Sequence, residues 1–153
     1  MTAPDILLPP GLYYVGDPCY VSMSEADRDL EHSALFDGEY RTDPDAWSRT
    51  FTVDGSFGRF GGACTKYGDG VYGYVLGPGA RRVAGTDHLS VDSGVIGAVP
   101  ITDDNWEGVI AELHLGCIVR FAEPFAVQYD KDTGIIMLGP VLVYTGDDNE
   151  DDE

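Results

Sequence analysis

The chain has 153 residues, 43% of them hydrophobic and 11% aromatic, which is enough for one core and too apolar for a wholly disordered protein. Acids outnumber bases 27 to 9, for a net charge of −18. That balance argues against direct nucleic-acid binding and against anionic membrane surfaces, since both draw on Lys and Arg. At this length folding buries about two thirds of the unfolded surface, so a core forms without metals or disulfides. Cys19, Cys64 and Cys117 include no C-x-x-C pair and read as free thiols of a reducing cytosol. Residues 1–10 lack the basic and apolar regions of a secretion signal. No apolar run approaches the roughly 20 residues of a membrane span, and a cytoplasmic protein is expected.

Pro9-Pro10-Gly11 punctuates the start, and Leu12 to Val15 reads as a short strand. A turn at Gly16-Asp17-Pro18 leads to a second β-rich stretch, Cys19 to Val21. Ser24 is a candidate N-cap for a helix over 25–35, with Glu25 and Asp27 in its first turn and a thin stripe of Ala26, Leu30 and Ala34. Residues 37–49 are polar and predict a loop anchored by Trp47. Phe51 and Val53 alternate with polar residues before Asp54-Gly55, a hairpin signal. Val71 to Leu76 predicts a strand. Gly77 to Thr86, which holds the basic doublet Arg81-Arg82, predicts an exposed loop. Val91 to Val99 reads as one glycine-interrupted strand region.

Trp106, Val109, Ile110 and Leu113 follow at i, i+3, i+4 and i+7, which predicts a helix packed through all four. Thr102 is its candidate cap, Asp103 and Asp104 suit its N-terminal dipole, and Gly116 closes it. A three-strand meander is then predicted at 117–121, 125–129 and 135–138, with 141–144 as a continuation after Gly139-Pro140. The tail, 147–153, carries six acids and no apolar side chain, and is expected to be disordered. Short strands, one clear helix and a meander predict an α+β domain over 1–146. It would be a twisted, mostly antiparallel sheet with one or two helices packed on one side.

Glycines 55, 58, 61 and 62 match no phosphate-binding loop and predict turns and bulges. Asp130 to Gly134 resembles half of a calcium loop. Its glycine comes one position early and Val141 stands where the final glutamate belongs, so a hairpin turn is the better account. His114 and Cys117 have the spacing of half a metal site, with no second pair in sight. Asp92-Ser93-Gly94 and Asp132-Thr133-Gly134 share the D-[ST]-G tripeptide of aspartic proteases. Only Asp92 is preceded by apolar residues, which leaves a homodimer using Asp92 alone as a remote variant. Cys19 follows a turn and would be a nucleophile candidate were His32 or His88 to reach it in the fold, but nothing local lowers its pKa and a structural thiol is the expectation. No cofactor or metal motif emerges.

Three segments resemble, in the same order, motifs of a family of small uncharacterised proteins from bacteria and their phages. They are Gly11-Leu-Tyr-Tyr-Val-Gly-Asp-Pro-Cys-Tyr-Val21, Tyr67-Gly-Asp-Gly-Val-Tyr72 and Val91-Asp-Ser-Gly-Val-Ile-Gly-Ala-Val-Pro100. The likeness implies a bacterial or phage-infected cytosol and supplies no activity. Two readings stand. One is a non-catalytic accessory protein whose acidic surface meets a basic protein partner. The other is a small hydrolase using Asp17, Cys19, Asp69 and Asp92, acids set beside glycine or proline near strand ends, where sites are commonly held.

Overall fold

A computed structural model describes residues 7–18, 50–55, 58–65, 70–91, 95–103, 105–130 and 133–145. The expected helix over 25–35, the stretch from Cys19 to Val21, and the acidic tail lie outside these residues.

The fold is β-sandwich-like, which corrects the α+β expectation. Among the described residues, eleven strands form two wholly antiparallel sheets. In chain order they are β1 (Gly11–Gly16), β2 (Thr50–Gly55), β3 (Gly58–Cys64), β4 (Gly70–Leu76), β5 (Ala80–Gly85), β6 (His88–Val91) and β7 (Val95–Pro100). After the six-residue helix α1 (Trp106–Ala111) come β8 (Cys117–Phe121), β9 (Val127–Asp130), β10 (Ile135–Leu138) and β11 (Val141–Tyr144). The six-stranded sheet runs β2-β3-β7-β1-β8-β5, and the five-stranded sheet runs β6-β4-β11-β10-β9. Strands β3 through β7 alternate between the two sheets, so sequence neighbours are rarely pairing partners. Among the described residues no helix is long and apolar enough to cross a membrane.

At its centre the six-stranded sheet is covered on both faces, and β1 and β7 are accordingly near-continuous apolar runs. From β1, Tyr13 and Val15 enter the core between the sheets, while Leu12 and Tyr14 face the helix side. From β7, Ile96 and Ala98 go inward, and Val95 and Val99 go to the helix side. The inter-sheet core is completed by Leu89, Val119, Phe121, Phe125, Ile136, Leu138, Val141 and Val143. Tyr13 meets Phe121 and Phe125 edge-on at 5.5 and 5.1 Å, and the two phenyl rings stack at 3.8 Å. Such packing of aromatic rings adds to their area burial.

The helix packs on the outer face of this sheet through fewer residues than its periodicity suggests. Val109 is fully buried against Tyr14, Phe60, Val95, Val99 and Ile118, and Leu113 packs at the margin. Trp106 and Ile110 are 43% and 42% exposed. Asn105, not Thr102, is the N-cap residue. Its buried amide accepts from Thr102 N at 2.7 Å and donates to Pro100 O at 2.8 Å, pinning the helix start to the end of β7.

Three further expectations give way. The segment 77–86 is a tight turn followed by β5, paired to β8 with a bulge between Arg82 and Ala84. Residues 91–99 are not one strand region: β6 pairs with β4 and β7 with β1 and β3, in different sheets. Val141 to Tyr144 does not continue β10 but folds back on it, with Leu138 opposite Val141 across Gly139-Pro140. Gly139 has φ +59°, the conformation a two-residue hairpin needs at its first central position. The expected meander of 117–121 with 125–129 also fails, because β8 pairs with β1 and β5 while β9 joins the other sheet.

Candidate functional site

Of the four residues singled out for catalysis, Asp17 alone falls among the described residues. It is fully buried just past β1, whose last residue, Gly16, is the Cα partner of Gly97 in β7. Cys19, Asp69 and Asp92 lie outside the described residues, as does Asp132. Gly70 and Val91, the sequence neighbours of Asp69 and Asp92, are Cα partners in β4–β6. Cys64 and Val95 are likewise partners in β3–β7. His114 is exposed in the turn after α1 and Cys117 is buried between the sheets, so their sequence spacing does not make a shared site. Asp130 and Gly134 bracket the β9–β10 turn, where Gly134 N donates to Asp130 O at 2.7 Å.

A polar seam joins the two sheets where β4, β5, β6 and β8 meet. Tyr74 Oη donates to Thr86 O at 2.6 Å. The Arg82 guanidinium donates to Tyr74 Oη at 3.3 Å and to Thr86 O at 3.2 Å. Thr86 Oγ1 donates to the carbonyls of His88 and Gly116. Cys117 Sγ lies 3.9 Å from Val15 O. Burial pushes the Cys117 thiol up to about 11, against a smaller opposing pull from Tyr74 and Arg82. Burial likewise raises Tyr74 well above the usual phenol range. Both groups therefore stay protonated at neutral pH, and the thiol is not a nucleophile there. The seam ties sheet to sheet. Gly85 belongs to it: at φ +107° a Cβ would collide with the Gly116–Cys117 backbone that β5 pairs against.

At one end of the sandwich a cleft of about 460 Å³ opens among the β4–β5, β8–β9 and β10–β11 turns. Pro78, Pro124, Pro140, Phe125 and Leu7 line it, with Glu123 as its one ionisable residue among the described residues. Asp17, the one sequence-predicted acid among the described residues, is not part of its lining. Its rigid, apolar walls come from turns whose convergence no local pattern announces.

Charge is distributed unevenly over the chain. The described residues hold Asp17, Asp54, Asp87, Asp103, Glu107, Glu112, Glu123 and Asp130 against Arg59, Arg81, Arg82 and Arg120. The other 19 of the 27 acids lie in the remaining segments. Beside Asp87, the imidazole of His88 at 3.0 Å holds the carboxyl below its usual range.

No family model matches the chain, and neither a curated protein nor a solved structure does.

Proposed function

We propose that this protein acts by binding a basic protein partner, without catalysis of its own, in a bacterial or phage-infected cytosol. The observation that carries the reading is the charge: −18 on 153 residues, with the described residues holding eight of the 27 acids and four of the nine bases. The sandwich serves as a scaffold, and long-range attraction of a cationic surface steers association. The seam's protonated thiol and phenol suit a structural tie better than a reaction centre. The motif likeness to bacterial and phage proteins supports the compartment.

Affinity capture from bacterial lysate tests it, run beside an unrelated globular protein of equal size and charge. A protein retained by this chain and not by the control, and released between about 50 mM and 500 mM salt as charge screening increases, is the expected result. Identical retention by both would refute a specific partner.

The hydrolase reading keeps one specific support. Asp17 is fully buried at a strand end, and the neighbours of Asp69 and Asp92 are paired in the sheet. Turnover of activated ester and phosphate substrates between pH 4 and 8, abolished in Asp92→Asn, would favour it. Rates equal to the Asp92→Asn background would remove it.

A further inference from the structure

We propose that Arg81 and Arg120 together form a binding site for a phosphate-type dianion on the outer face of the six-stranded sheet. The two residues are Cα partners across β5–β8, with Leu12 of β1 next in the row. Both are exposed, and neither side chain has a hydrogen bond or ion pair among the described residues. Directly opposed residues in an antiparallel pair stand roughly 4.5–5.5 Å apart at Cα, where like charges repel. A chain with three acids for every base could have relieved that repulsion at either position, yet it sets two arginines opposite one another, with no ion pair to either among the described residues.

Two planar forks on adjacent strands suit a tetrahedral oxyanion better than a carboxylate. One fork already saturates the two oxygens of a carboxylate, whereas a phosphate offers a face to each. Arg82, the third arginine of this region, is excluded from the site. It alternates to the opposite side of β5 and is committed to Tyr74 and Thr86. The cleft described above starts two residues from Arg81, at Gly79, and three from Arg120, at Glu123.

The test is a titration of the full-length protein with inorganic phosphate, following the arginine Nε–H resonances by NMR at constant ionic strength. Saturable shifts at Arg81 and Arg120, with Arg59 and Arg82 unmoved, are expected. Arg81→Gln and Arg120→Gln should each weaken binding at least tenfold. Both variants should keep the melting temperature of the parent without phosphate, and lose the rise that phosphate gives the parent. Phenyl phosphate binding more tightly than inorganic phosphate would assign the site to phosphate monoesters; equal affinity would assign it to the free ion. Linear shifts, the same response to chloride, or unchanged affinity in either variant would overturn the site.

Discussion

Val109 and Ile110 are neighbours on one short helix, and replacing each by alanine separates packing from pattern. Val109 is fully buried, so Val109→Ala removes two methyl groups from a closed environment. At about 0.8 kcal/mol for each carbon that loss is about 1.6 kcal/mol. Unfilled space under Tyr14 and Ile118 adds about 1 kcal/mol, at roughly 24 cal/mol per Å³ of cavity. Alanine's better helix propensity returns about 0.5 kcal/mol, which leaves a net cost of roughly 2 kcal/mol. Ile110 is 42% exposed, and its truncation returns the same propensity gain, so Ile110→Ala should cost less than about 1 kcal/mol. For a domain of this size 1 kcal/mol moves the melting temperature by about 2–4 °C. Thermal unfolding followed by circular dichroism should therefore show a drop of about 4–8 °C for Val109→Ala and under about 3 °C for Ile110→Ala. An equal or larger drop for Ile110→Ala would refute this placement of the helix on the sheet.

Gly97 faces Gly62 directly in β3–β7, and a Cβ on Gly97 would overlap the Gly61 carbonyl; Gly97→Ala should lower the urea midpoint by the equivalent of about 1–3 kcal/mol or more, and an unchanged midpoint would contradict the close approach. Asn105→Ala leaves Thr102 N and Pro100 O without their partner, at a cost of about 1–3 kcal/mol in chemical denaturation; less than about 0.5 kcal/mol would show that water replaces the amide. Cys117 should resist alkylation at pH 8 until the protein unfolds, checked by mass spectrometry of the labelled peptide. Because its folded-state pKa is raised, the stabilisation from the protonated thiol is complete below the unfolded thiol's usual range, near 8.5, and is lost as pH climbs through about 11. Stability should decline from about pH 9 upward, less steeply in Cys117→Ala, and parallel pH profiles for the two proteins would contradict the shift.

Local pattern carries the strands and stops there. Leu12 to Val15, Val71 to Leu76 and Cys117 to Phe121 are visible as apolar or alternating runs, because the two-residue period of a strand is written into neighbouring positions. Gly139-Pro140 is visible as a break, though not as a reversal. Arg81-Arg82 reads as loop because its charge obscures an edge strand that has one open side and tolerates arginine there. Which sheet a strand joins has no local signature. Val91 and Val95 are four positions apart in the same kind of sequence, yet one lies in β6 and the other in β7, in opposite layers. The helix stripe is half right for a related reason: periodicity names a face, but the width buried depends on what the sheet offers beneath it, here enough for Val109 and too little for Trp106 and Ile110. The cleft among three turns and the opposed pair Arg81–Arg120 have even less trace, since each joins residues that only strand pairing brings together. Composition, charge and strand period are properties of a residue and its neighbours, and the sequence alone determines them. Layer, register and site arise from hydrogen bonds and burial between segments dozens of residues apart, and only the folded chain decides them.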